Sequence, residues 1–254
     1  MKNVVKVRDI IIGEGIPKIC VPIMGKNDEE LFQMLKGIKE VDVQIVEWRV
    51  DSYEEIHNRE AIYSTMNKLR TTVENIPILA TFRTKKEGGY KNISVEEYVE
   101  LNKWIIESGC IDLIDVEVYT GDLIVKEIIE FAHKKSVKVV LSNHDFEKTP
   151  QKDDIISRLC KMQELDGDIC KIAVMPNNPK DVLTLLDATY EMKSQYSNRP
   201  IVTMSMSAIG GVSRMVGEVF GSAITFGAMG KTSAPGQFPV EELSRGLKMF
   251  NINE

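Results

Sequence analysis

One pattern repeats eight times along this chain and leaves few folds open to it. A short apolar, β-branched run is followed by a longer segment of helical period. The runs fall at 18–24, 43–50, 76–82, 111–118, 137–142, 169–174, 200–206 and 222–225. The helical segments fall at 28–39, 60–74, 95–108, 122–134, 151–164, 179–195, 212–220 and 240–250. Strands that alternate with helices predict an α/β fold with a parallel sheet, since a parallel pair needs a crossover connection. Eight such units match a closed (β/α)8 barrel, and 254 residues is an ordinary length for one. An open doubly wound sheet shares the alternation, but no GxGxxG follows the first run. No break in composition divides the chain, so 1–254 is expected to be a single domain. Two short runs, 4–7 and 10–12, precede Gly13-Glu14-Gly15 and predict a hairpin placed to cover one end of the barrel.

Composition narrows the partners. Hydrophobic residues make up 43%, enough for a sizeable core, and the net charge is −6 with both signs scattered. No basic block points to nucleic acid. An anionic small molecule stays open, because local arginines bind one whatever the total charge. Cys20, Cys110, Cys160 and Cys170 show no CxxC spacing and read as reduced thiols of a cytoplasmic protein. Met1 and Lys2 lead into Lys6-Val7-Arg8-Asp9 without an apolar stretch, so no signal peptide is expected. No apolar run reaches the length of a membrane span.

Barrels of this kind gather their chemistry at the C-terminal ends of the strands. Lys171, in Asp168-Ile169-Cys170-Lys171-Ile172-Ala173-Val174, stands within an apolar strand. Desolvation there favours a neutral amine, a nucleophile that condenses with a ketone or aldehyde. His144 ends the preceding run, Val137 to Asp145, and is placed to move protons. Together they suggest Schiff-base chemistry. Taken singly, the lysine can snorkel to water and the histidine can be structural.

Other polar residues cluster at strand ends. Glu47 and Arg49 share a face in Val46-Glu47-Trp48-Arg49-Val50-Asp51 and can either bind hydroxyls or form a structural ion pair. Arg83 follows the third strand, and Glu87 opens a glycine-rich segment expected to be mobile, where a carboxylate can orient a histidine. Asp112, Asp115 and Glu117 need partners if buried; Asp115 and Glu117 share a face and can hold Lys171 or an arginine, with magnesium as a competing occupant. Only His144 of the three histidines sits at a strand end, which disfavours a metal site; His57 and His133 are expected at the surface. Gly210-Gly211-Val212-Ser213-Arg214 offers backbone N–H groups and a guanidinium to an anion, or is an ordinary turn with a surface arginine. Lys231-Thr232-Ser233-Ala234-Pro235-Gly236-Gln237 has the composition of a lid, or of a plain connector. Met204 and Met206 read as packing residues.

Taken in order, these motifs resemble type I 3-dehydroquinate dehydratase, the shikimate-pathway family. The resemblance spans nearly the whole chain and includes Glu47 to Asp51, Thr81-Phe82-Arg83 with Glu87-Gly88-Gly89, and Ser142 to Phe146. It continues through Lys171 to Pro176, Met204 to Ser207, and Ser233 to Gln237. It implies a TIM barrel that dehydrates 3-dehydroquinate to 3-dehydroshikimate on the route to chorismate and the aromatic amino acids. It implies an iminium on Lys171, His144 as general acid and base, and Glu87 as the group that positions His144. It further implies that Arg214, Ser233 and Gln237 hold the substrate carboxylate and nearby groups, and that Glu47, Arg49 and Arg83 meet the ring hydroxyls. No metal or cofactor is implied, and a homodimer is. Pro22 departs from the serine often found there, and Cys170 from a proline; Pro22 puts a hydrogen bond in that corner in doubt. The alternatives are another Schiff-base barrel, such as a class I aldolase, or a non-catalytic barrel that binds sugar acids.

Overall fold

The computed structural model describes residues 4–230 and 232–252, so Met1, Lys2 and the first residue of the last loop, Lys231, lie outside the described residues. The described elements run β1 (Val5–Val7), β2 (Ile10–Ile12), β3 (Lys18–Ile23), α1 (Asp28–Met34), β4 (Ile45–Arg49), α2 (Arg59–Val73), β5 (Ile78–Thr81) and α3 (Val95–Glu107). They continue with β6 (Leu113–Glu117), α4 (Asp122–Lys134), β7 (Lys138–Asp145), α5 (Lys152–Glu164), β8 (Ile169–Val174) and α6 (Pro179–Glu191). The last are β9 (Ile201–Ser205), α7 (Val212–Met215), α8 (Gly217–Phe220), β10 (Ile224–Phe226) and α9 (Val240–Met249). Strands β3 to β10 pair in parallel in the order β10-β3-β4-β5-β6-β7-β8-β9. A bridge from Ile201 to Ser222 brings β9 to the chain entering β10, so the sheet nearly closes on itself. This is the barrel that the repeat predicts.

Period-two alternation builds the interior in layers. The lowest layer takes one apolar residue from each strand: Cys20, Ile45, Leu79, Leu113, Val140, Ile169, Val202 and Ile224. Two residues further along each strand, the layer becomes polar on one side. Glu47, Thr81, Asp115, Ser142 and Lys171 face Pro22, Met204 and Phe226 across the barrel. The next step up brings in Arg49, Glu117, His144, Ala173 and Met206. The opposite strand faces pack on the helices through a separate core that holds Trp48, Val116, Leu141, Ile172 and Cys170.

The hairpin closes the apolar end, as expected. Val5, Val7 and Ile12 join the interior cluster. Asp112, at the entrance to β6, holds it there: Arg8 Nε donates to one oxygen at 2.6 Å and Arg70 to the other at 2.5 Å. The polar end is left open to carry chemistry.

Several boundaries shift for local reasons. The predicted helix 28–39 breaks after α1, where Gly37 takes φ 80° before a 3-10 turn at Ile38–Glu40. The predicted helix 212–220 splits into two helices of four residues each around Val216. The predicted helix 179–195 ends in a π turn, Met192–Tyr196. Strand β7 runs on to Asp145, so His144 lies inside a strand rather than beyond one.

Candidate active site

The nine side chains to which the resemblance gives roles all line one cavity at the polar end: Glu47, Arg49, Arg83, Glu87, His144, Lys171, Arg214, Ser233 and Gln237. The strand register explains how. Ser142 on β7 pairs with Lys171 on β8, and His144 pairs with Ala173. His144 therefore stands one interior layer above Lys171 on the adjoining strand.

Lys171 is 4% exposed and does not snorkel. Its Nζ lies 3.4 Å from Asp115 Oδ2 and 4.5 Å from the centre of the Phe226 ring. The carboxylate and the ring face both favour a cation, which offsets part of the desolvation cost.

Glu87 stands where it can orient the histidine. It ends a 3-10 turn, Lys85–Glu87, and is buried. Gly88 follows at φ 86°, where an added Cβ would strike the Phe146 ring, so the turn packs closely on the chain after β7. Glu87 Oε2 accepts the His144 backbone N–H at 3.0 Å and lies 2.9 Å from Nδ1. An oxygen already accepting one proton best takes the second from Nδ1, which leaves Nε2 with the free lone pair. Burial pushes the Glu87 carboxyl up to about 7, with Arg83 opposing and Glu117 reinforcing the rise. Burial, then the charges of Arg83, Lys171 and Arg49, holds the His144 imidazole well below its ordinary range. A neutral imidazole with a free Nε2 is a ready base.

The structural Glu47–Arg49 ion pair, one of the two readings of that strand, does not form. Arg49 instead makes two bonds of 2.9 Å to Asp51, because the chain turns into a 3-10 helix right after β4 and brings Asp51 back beneath the guanidinium. Asp51, fully buried, also accepts the backbone N–H groups of Arg83 and Tyr90. Glu47 accepts the Thr81 hydroxyl at 2.8 Å. Arg83 turns to the acids of β6: 2.7 Å to Asp115 Oδ1 and 3.0 Å to Glu117 Oε1, with Ser142 Oγ also at 3.0 Å. The acids raised as a magnesium alternative are thus held by Arg83 and Lys171. His57 is exposed as expected, whereas His133 is partly buried against Asp168 at 2.7 Å.

Arg214 is 1% exposed, which overturns the surface-arginine alternative. Its contacts are the Pro235 carbonyl at 3.2 Å and the Met204 sulfur at 3.8 Å, and its Nε has no partner. No carboxylate among the described residues pairs with it. Burial alone brings its guanidinium down to about 10. A buried cation without an anion is the strongest electrostatic demand for an acidic ligand in the cavity. Above it, the last loop folds on itself: Gln237 accepts the Ser233 backbone N–H at 2.8 Å and donates to the Ser233 hydroxyl at 2.9 Å.

Sequence reasoning missed Ser142, Asn143, Phe146 and Phe226 as site residues. The alternation signal places Ser142 and Phe226 beside Lys171, but nothing local marks Asn143, whose amide reaches Glu87 at 3.3 Å. Met204 and Met206 pack as expected and also line the cavity. Pro22 sits in register with Glu47. Cys170 points away into the helix-facing core.

The family model described as Type I 3-dehydroquinase matches residues 19–254. A 3-dehydroquinate dehydratase from Clostridioides difficile (strain 630) is 53% identical over 251 residues, covering 99% of this chain and 98% of that one. One from Bacillus subtilis (strain 168) is 51% identical over 251 residues, with coverage of 99% and 98%. The crystal structure of type I 3-dehydroquinate dehydratase from Clostridium difficile with covalently modified comenic acid superimposes with a TM-score of 0.95 at 53% identity, over 98% of each chain.

Proposed function

As a member of the type I 3-dehydroquinase family, this chain dehydrates 3-dehydroquinate to 3-dehydroshikimate in the shikimate pathway, and we propose that Lys171, His144 and Glu87 carry the chemistry. The observation behind this assignment is the placement of a buried Lys171 one layer below His144, whose ring is held by Glu87 at 2.9 Å.

Lys171 gives a proton to His144 Nε2 and attacks the substrate ketone as the neutral amine; the resulting carbinolamine hydroxyl takes that proton back from His144 and leaves as water, which gives an iminium. The iminium draws electrons and acidifies the neighbouring C–H. His144 Nε2 removes that proton and leaves an enamine. The enamine expels the β-hydroxyl while His144 returns the proton, so the group departs as water. Hydrolysis of the product iminium frees Lys171. Glu87 keeps Nε2 turned toward the cavity and faces the imidazolium while it exists. Positioned acid–base groups contribute about 10²–10⁴-fold.

Arg214 meets the substrate carboxylate, with Ser233 and Gln237 closing over it. Glu47 and Arg49 meet ring hydroxyls from the polar wall, and Arg83 shapes that wall. The apolar side, Met204, Met206 and Phe226, suits the C–H face of the ring. This division of the cavity supports a hydroxylated ring acid as ligand.

The test mixes the protein with 3-dehydroquinate and a chelator and follows conjugated enone absorbance. An enone without C–C cleavage is expected; cleavage products would favour an aldolase, and binding without product a non-catalytic barrel. Borohydride added during turnover should fix ligand mass on Lys171. A cytoplasmic location is supported by four free thiols. A homodimer is supported by exposed Leu183 and Tyr190, one heptad apart on α6, and sedimentation at micromolar concentration tests it.

A further inference from the structure

Two cations converge on one fully buried carboxylate beneath the cavity, and they divide its oxygens. Asp115 Oδ1 accepts Arg83 at 2.7 Å and the Ser142 hydroxyl at 2.6 Å. Asp115 Oδ2 faces Lys171 Nζ at 3.4 Å. Arg83 also donates to Ser142 Oγ at 3.0 Å, so Oδ1 is fixed from two sides while Oδ2 stays available to the amine. Asp115, Ser142 and Lys171 all face inward from the consecutive strands β6, β7 and β8, with Ser142 in register with Lys171 and Asp115 two residues lower on β6 than the partner of Ser142.

We propose that Asp115 is a positioning residue of the reaction: held by Arg83 and Ser142, it aims the Lys171 amine and serves as the counter-ion of the iminium. This rests on the Lys171 assignment above. The other charged or titratable groups that face Lys171 are Glu47 and Arg49 on β4, Arg83 and Glu87 after β5, His144 on β7, Cys20 on β3 and Arg214 on α7. Of the acids, Glu47 is taken by Thr81 and Glu87 by His144. Asp115 alone makes an ion pair with Nζ among the described residues. The resting ammonium and both iminium species carry a positive charge at the same nitrogen, so one carboxylate serves them all, while the attacking amine, the carbinolamine and the enamine are neutral.

The experiment follows borohydride trapping at Lys171 and steady-state turnover against pH in the parent, Asp115→Asn and Asp115→Glu. In Asp115→Asn the pH of half-maximal trapping is expected to move down by about one unit or more, since an opposite charge at this range favours the cation. Its kcat is expected to fall at least about tenfold, with KM moving much less. Asp115→Glu should restore the parental midpoint, because it restores the charge. A parental pH profile and kcat in Asp115→Asn would overturn the proposal. If Asp115→Asn does not fold, the structure of the borohydride-reduced adduct of the parent decides: the adduct nitrogen should keep its contact with Asp115, and a nitrogen turned away refutes the counter-ion role. Absence of any Lys171 adduct in the parent would instead sink the functional assignment on which this rests.

Discussion

Glu87 and His144 are joined twice, through the imidazole Nδ1 at 2.9 Å and through the backbone N–H of the same histidine at 3.0 Å. The double contact fixes both the ring and the strand that carries it. It also ties a residue after β5 to one on β7, across the strand between them. Positioning of this kind depends on a carboxylate that is expensive to bury.

Glu87→Gln is therefore expected to separate activity from stability. Turnover should fall by about 10²-fold, since the ring loses its charged partner. The stability effect has a definite sign. Burial raises the Glu87 carboxyl to about 7 in the folded protein, from 4.5 in the unfolded chain. The folded state then binds more protons than the unfolded state between these values, so the parent loses stability as pH rises through that window. Glutamine does not titrate. The melting temperature of the variant relative to the parent should rise from pH 5 to pH 8. A difference that stays flat would show that Glu87 does not titrate as described.

Lys171→Ala is expected to abolish turnover and borohydride labelling while the barrel stays folded. Removing the amine relieves a desolvation cost, and Asp115 keeps Arg83 and Ser142 as partners. Circular dichroism and melting should remain close to parental, and peptide mapping should find no ligand mass. An adduct on another lysine would reject the assignment.

Asp51→Asn should behave in the opposite way to the catalytic variants. Arg49 would lose its partner while buried, and two backbone N–H groups would lose a charged acceptor. Breaking a buried pair from one side costs about 3–5 kcal/mol. At roughly 2–4 °C per kcal/mol for a chain of this size, melting should fall by about 6–20 °C. Calorimetry checks this, and an unchanged melting point would mean that Arg49 finds another anion.

Much of this site is legible in the sequence because a barrel strand has a strict period of two. Once Ile169 is placed inside, Lys171 and Ala173 follow, and the same count on β7 gives Val140, Ser142 and His144. The end of each strand is equally legible, since the apolar run stops there. Partner choice is a different matter. Arg49 and Glu47 share a face, yet the 3-10 turn after β4 delivers Asp51 to Arg49 instead. Glu87 stands among Lys85, Lys86, Gly88 and Gly89, a composition that marks a glycine-rich loop; its partners Asn143 and His144 come from more than fifty positions away in the chain. Local pattern leaves Arg214 open between an anion site and a surface arginine, because its neighbours are short turns, and only the closure of β9 and the last loop around it buries the guanidinium. Local pattern sets which way a side chain points; what waits there is set by elements distant in sequence.

The last prediction concerns how Arg214 couples the carboxylate to the closing loop. The Pro235 carbonyl accepts from Arg214 at 3.2 Å and from the Ser207 backbone N–H at 3.2 Å, so the loop is docked on the residue proposed to hold the anion. Gly236 makes that docking possible. It stands at φ 77°, and an added Cβ would lie 2.2 Å from the Ser207 carbonyl oxygen. Replacing Arg214 with Lys keeps the charge but removes the planar fork. Charged hydrogen bonds contribute about 1.5–3 kcal/mol, so KM should rise roughly 10–100-fold with the fold intact. Gln237→Ala should act in the same direction and more mildly, as it removes a neutral contact. Gly236→Ala should leave Arg214 in place but hold the loop off Ser207, raising KM while borohydride trapping at saturating substrate persists. Hydrogen exchange reads the coupling directly. Saturating product should protect 232–237 in the parent, less so in Arg214→Lys, and least in Gly236→Ala. Parental KM in all three variants, with no protection of the loop in the parent, would return this segment to a plain connector.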